Sequence, residues 1–383
     1  MRSSLKLFTW FGIPVHLHWS FGLIFLYALW IGYANNLDVL NTIWLMGFFI
    51  ALFTCVLLHE YGHALTARRY GVRTQDIILT PIGGIARLER MPEKPVQEFL
   101  VAIAGPMVNV VLAILLYLLG KLLFQGDSWV LFNWILEQNM TFGGGESDPE
   151  VMEEVGISAT GLLFYLPVLV VTNIALVVFN LIPAFPMDGG RIFRALLAMR
   201  MGRVRATQIA SWLGQGIAVL FVGIGLWKSA FTLALIGVFV YTTARAENSM
   251  VRLDALVRRF KARDLMRPQF TRLSANDWMQ TPIALLQQGL ERHFLVFDMQ
   301  DKLIGVLEEP QIVEALKKRD LSAEISQYAK PNVTAVSQDE RLEYVFHLLQ
   351  QRGAGLLAVA EQGEVIGVID QAGLQNFLRL NAA

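Results

Sequence analysis

The chain reads Cys55-Val56-Leu57-Leu58-His59-Glu60-Tyr61-Gly62-His63 where an uncharged run, residues 39–58, comes to its end. A bilayer core takes about 20 apolar residues per helix, so this run is long enough to span. Residues four apart on a helix share a face. His59 and His63 can therefore reach one metal ion while Glu60 points near its open position. Ionisable residues inside a membrane helix cost about 2.5–3.5 kcal/mol on insertion scales and mark a functional site by default. A plain helix end would more cheaply carry Lys or Arg, which snorkel to water.

Working outward, five further stretches lack Asp, Glu, Lys and Arg: residues 8–37, 99–120, 155–187, 206–227 and 229–244. Of the 383 residues, 54% are hydrophobic and 17% charged, more apolar than a soluble enzyme with about 25% charged residues. The pattern predicts a polytopic α-helical membrane domain of six transmembrane helices over residues 1–245. A linker helix over 246–262 and a soluble α/β region over 263–380 should follow. Lys and Arg balance Asp and Glu at 32 each, so no global field favours nucleic acid. Cys55 is the single cysteine, which excludes a disulfide framework and a cysteine-based zinc knuckle. No short apolar segment with a small-residue cleavage site opens the sequence, so no removable signal peptide is expected.

Basic residues cluster before the first run, after the second (Arg68, Arg69, Arg73, Arg87, Arg90, Lys94), after the fourth (Arg191 to Arg205) and after the sixth. Residues 35–41 hold none, and residues 137–154 are acidic around Gly143-Gly144-Gly145. Both termini should then be cytoplasmic. The second and fourth spans would run in the same direction, which puts His59, His63 and Asp188 at a common depth. The fourth run breaks at Asn180-Leu181-Ile182-Pro183-Ala184-Phe185-Pro186-Met187-Asp188-Gly189, where the prolines cannot continue a helix. Broken backbone at membrane depth is tolerated where it lines a cavity or is buried in protein. Two imidazoles and a carboxylate leave a fourth position for water, as catalytic zinc sites do.

The HExxH late in the second span, with Asn180-x-x-Pro183-x-x-x-x-Asp188-Gly189 in the fourth, closely resembles the site-2 protease family of intramembrane zinc metalloproteases. The likeness covers roughly residues 10–245. It extends to Gly105-Pro106-Met107-Val108-Asn109 in the third run and to Gly83-Gly84, and no inserted PDZ-like domain is visible. It implies His59, His63 and Asp188 as ligands of one zinc per chain, Glu60 as general base, and Asn180 and Pro183 as cleft residues. Gly83, Gly84 and Asn109 join them as candidate substrate-binding positions. It further implies a transmembrane protein substrate, a fragment released to the cytoplasm, and residence in the bilayer of a bacterial-type inner membrane. Residues 76–87 are either a re-entrant hairpin whose edge holds an unwound substrate by β-addition or a simple surface hairpin. Gly105, Pro106 and Asn109 equally suit helix packing and a kink, and His16 and His18 read as interfacial.

Past Arg245 the composition turns ordinary, and His293-Phe294-Leu295-Val296-Phe297 with Leu303-Ile304-Gly305-Val306-Leu307 recurs 62 residues later as Gly355-Leu356-Leu357-Ala358-Val359 with Val365-Ile366-Gly367-Val368-Ile369. Each copy reads helix, strand, strand, helix. The repeat resembles a tandem pair of cystathionine-β-synthase (CBS) domains, over residues 263–318 and 325–380. Such pairs often bind adenosine nucleotides, and the resemblance places Glu308, Gln311, Asp370 and Gly373 at the contact positions. Neither copy has the ribose-binding carboxylate, and Glu308 and Asp370 would repel an anionic ligand. Weak or absent ATP binding is therefore expected, with homodimerisation or gating as the alternative role. A CBS-regulated transporter or channel binding a cation at the intramembrane His and Asp is the second functional reading. It explains neither Glu60 beside His59 nor the lack of an inverted repeat.

Overall fold

A computed structural model describes residues 4–81, 83–92, 94–140, 161–289, 291–331, 333–351 and 354–381. The chain divides into two units, Met1–Asn248 and Ser249–Ala383. The Gly143-Gly144-Gly145 tract lies outside the described residues.

The first unit opens with strands β1 (Ser4–Trp10) and β2 (Ile13–His18), then helices α1 (Gly22–Ala34) and α2 (Val39–Arg69). Strands β3 (Thr74–Thr80) and β4 (Gly83–Leu88) follow. Helices α3 (Pro95–Leu123), α4 (Asp127–Met140), α5 (Leu162–Asn180), α6 (Asp188–Met201), α7 (Arg203–Trp227) and α8 (Phe231–Arg259) complete it.

Six uncharged runs predict six spans, yet four helices among the described residues are long and apolar enough to cross a membrane: α2, α3, α5 and α7. The first run departs from expectation because residues 8–18 are extended. Phe11 and Gly12 both take positive φ, 51° and 77°, the backbone of a two-residue hairpin turn. The β-branched Thr9, Ile13 and Val15 around it suit strands. That leaves an apolar helical segment, Trp19–Ala34, shorter than a span. The last run is the head of α8, whose second half carries Arg245, Glu247, Arg252 and Asp254.

The four strands form one sheet in the order β1-β2-β3-β4. β2 pairs antiparallel with β1 and parallel with β3, and β3 pairs antiparallel with β4. Val15, Ile77 and Leu79 pack on Phe53, Leu57 and Tyr61 of α2. The sheet thereby braces the part of α2 that bears the HExxH residues. On its other side α2 packs against α3, which also meets α5 and α6.

The second unit starts within α8 and continues with α9 (Ala262–Leu265). Its first copy is β5 (Arg272–Ser274), α10 (Gln280–Gln287), β6 (Phe294–Phe297), β7 (Leu303–Leu307) and α11 (Glu309–Lys318). The second is β8 (Ala335–Ser337), α12 (Leu342–Gln351), β9 (Leu356–Glu361), β10 (Glu364–Asp370) and α13 (Gln371–Asn381). Each sheet has three strands, the middle one parallel to the first and antiparallel to the last. Leu295, Phe297 and Val306 pack against Leu356, Ala358 and Val368, joining the copies. Arg267, ahead of the first copy, exchanges two backbone hydrogen bonds with Val368 of β10, and Lys330, ahead of the second, does so with Val306 of β7.

Candidate active site

His59 and His63 lie one turn apart on α2, both buried, and their rings meet edge to face with centroids 4.8 Å apart. Asp188 is the first residue of α6, since Pro183 and Pro186 stop helix through the segment 181–187 and the chain restarts with carboxylate in hand. Its Oδ2 is 3.2 Å from His59 Nε2 and 3.1 Å from His63 Nε2, and the two Nε2 atoms are 3.1 Å apart. One donor atom from each residue lies within 4.8 Å of the others.

Helix α3 sets the imidazoles. His63 Nδ1 is 2.7 Å from the carbonyl oxygen of Val101, and His59 Nδ1 is 2.9 Å from Asn109 Oδ1. A carbonyl only accepts, so Nδ1 of His63 carries a proton, and the neutral ring then presents its lone pair at Nε2; the same holds for His59 against the amide oxygen. Between these partners stands Gly105. A Cβ there would sit 2.7 Å from His59 Nε2 and nearer still to His63. Val101, Gly105 and Asn109 are four apart, one face of α3 laid against the four-residue step of α2.

Glu60 turns to the sheet, where its Oε2 accepts from the backbone N–H of Ala86 at 3.0 Å, and Gly84 lies against its side chain. The hairpin over residues 76–87 therefore touches Glu60, with β4 at one edge of the sheet. Asp76 of β3 pairs with Arg87 of β4 and with His16 of β2 at 3.1 Å, so His16 is tied into the sheet. His18 bonds Ser20 Oγ through Nδ1 and caps the turn that follows.

Of the other expected residues, Asn180 closes α5 and Pro183 lies in the segment after it, both half-buried. Gly83 and Gly84 open β4. Asn109 is fully buried behind His59, its amide oxygen against the imidazole. Sequence reasoning missed Val101, Ala86, Glu98 and Arg194. The first two act through backbone atoms, which no residue type announces. The last two form a buried ion pair, 2.8 Å from Arg194 Nε to Glu98 Oε1.

In the second unit Glu308 precedes α11 and is not bare. Its carboxylate accepts from Gly355 N at 2.9 Å and Lys330 Nζ at 2.5 Å. Asp370 accepts from Gly373 N at 2.6 Å and pairs with Arg267 at 3.3 Å. Gln311 lies in the first turn of α11, its N–H on Glu308 O. A polar cleft of about 930 Å³ that includes Asp370 and Gly373 is bordered by both charge signs, Arg267 and Arg292 with Glu291 and Glu309, beside His293. Glu308 and Asp370 thus each have a cationic partner, Lys330 and Arg267.

The donor set suits a divalent metal: two neutral imidazoles presenting Nε2 and one carboxylate, all buried, are the ligands of open zinc sites. The sequence profile of peptidase family M50 matches residues 47–224. The zinc metalloprotease MJ0392 of Methanocaldococcus jannaschii is 30% identical over 97% of this chain and 95% of its own. The solved site-2 protease from Methanocaldococcus jannaschii shares 33% identity over 64% of this chain and 95% of that one, TM-score 0.43. The solved CBS domain pair of protein MJ0100 shares 16% identity over 32% of this chain and 98% of that one, TM-score 0.30. A likeness that runs almost end to end, through both the membrane helices and the repeat behind them, makes this chain a member of peptidase family M50, the site-2 metalloproteases.

Proposed function

We propose that His59, His63 and Asp188 hold one zinc ion, that Glu60 is the general base, and that the enzyme cuts a peptide bond in or near the transmembrane segment of a membrane protein. The meeting of three buried donors from two helices distant in sequence carries this reading. Zinc so bound would supply Lewis acidity and lower the pKa of water to about 7. Glu60, beside His59 and outside the donor triad, takes the proton of the attacking water and passes it to the leaving nitrogen.

A helical peptide bond is shielded, so the substrate must unwind where it is cut. The free edge of β4 suits an extended segment. Glu60 already uses the outward N–H of Ala86, so a strand docking there must displace it. Asn180 and Pro183 border the same opening in this reading. In this reading the short apolar segment Trp19–Ala34 and the head of α8 complete six spans with α2, α3, α5 and α7, the protein lies in a cell membrane, and both termini are cytoplasmic. The CBS pair modulates cleavage, through pairing of two chains in preference to tight nucleotide binding.

Replacing Glu60 by Gln in the full chain tests the assignment. Zinc content should stay near one per chain while cleavage falls by about a hundredfold or more, and the uncut membrane substrate should accumulate in cells. Near wild-type turnover would refute the role of Glu60.

A further inference from the structure

The geometry points to Arg194 as a positioning residue that fixes Asp188 against the histidine pair; this deepens the metal-site reading above and rests on it. Arg194 is the largest fully buried side chain among the described residues, 1% exposed. Its guanidinium joins Glu98 of α3 to Glu247 of α8 and lies over the ring of Phe185, 5.1 Å from the centroid. Phe185 is three residues ahead of Asp188, and Arg194 is six residues behind it on α6.

The start of α6 needs such a hold. Its N-cap, Met187, makes no side-chain capping bond, so the helix end is held by backbone packing of Gly189 and Gly190 on the segment 181–185 and not by a polar cap. Glu98 sits three residues before Val101, the partner of His63, on the same helix. Arg194 therefore ties the element carrying the carboxylate to the element orienting the imidazoles. From the other side α8 lays Val240 and Ala244 along the segment before Asp188, packing with Ala184, Phe185 and Met187, and Glu247 one turn on meets Arg194. A buried charge costs desolvation that an apolar side chain would not. What it supplies is direction, because the planar fork holds two carboxylates in one geometry as neither Lys nor Leu can.

The test uses the full chain in detergent and reads zinc affinity by competition with a chromophoric chelator, beside kcat and KM. Arg194→Lys keeps the charge and loses the fork. It should weaken zinc binding about tenfold and lower kcat with KM unchanged, at temperatures well below its melting point. Glu247→Gln, altering the least buried member, should shift affinity in the same direction and decides the matter if the lysine variant does not fold. Zinc affinity equal to wild type in a folded variant, with only the melting temperature lowered, overturns the proposal. Asp188→Asn serves as the control: if it leaves zinc affinity unchanged, the metal-site reading itself fails.

Discussion

His59 and His63 each spend Nδ1 on an acceptor from α3, but the two acceptors differ in kind. Val101 offers a backbone oxygen that substitution cannot remove, whereas Asn109 offers a side chain. Asn109→Ala should therefore loosen His59 alone, and zinc affinity should fall about ten- to a hundredfold, as for other outer partners of metal-bound imidazoles. Gly105→Ala should do worse, because its methyl group would collide with both rings. Zinc analysis after dialysis of each purified variant checks the ranking: little metal in Gly105→Ala, partial retention in Asn109→Ala. His59, His63 and Asp188 were legible because an HExxH and an isolated carboxylate stand out against uncharged runs. Gly105 and Asn109 were visible as a motif without a role. Their spacing from Val101 gains meaning only once α3 lies against α2.

Helices proved easier to read than the strands among them. Residues 8–37 contain no charge, and hydropathy alone cannot separate an apolar hairpin followed by a short helix from one span. The signal was local: Gly12 and Pro14 among β-branched residues. The repeat behind the membrane unit was legible as helix, strand, strand, helix because its period is exact at 62 residues. What the pattern hid was compensation of its carboxylates. Burial alone would raise the pKa of Glu308, but hydrogen bonds from Lys330 and Gly355 prevail and hold it below the ordinary value. A depressed carboxylate stabilises the fold fully above its unfolded pKa, about 4.3, and loses that contribution as pH falls through the folded value. Acidification below about pH 4.3 should then cost the second unit about 1 kcal/mol, since Lys330 is half exposed and its pairing weak. Thermal melts of the full chain across this window should show the loss, and Glu308→Gln should flatten the profile.

The proposed orientation of the membrane unit is one that labels can check. A cysteine introduced at position 145 should react with an impermeant thiol reagent from outside the cell, and one at position 383 only after permeabilisation. Reaction at 145 from the cytoplasmic side would contradict the charge distribution that put both termini inside.

Gly305 and Gly367 occupy equivalent places in the two repeats, and each faces a backbone oxygen arriving from the other copy's lead-in segment: Lys330 O at 2.9 Å and Arg267 O at 3.0 Å from where a Cβ would be. These crossed straps mean that neither repeat owns its own edge. Arg267, Val368, Val306 and Lys330 should thus behave as one cooperative opening unit, their amides exchanging with deuterium together and only when the whole pair unfolds. Gly367→Ala should speed exchange at Val306 as well as at Val368, although the first lies in the other repeat. The duplicated sequence is thereby cross-laced, each half closing its sheet with a piece of chain that leads into the other.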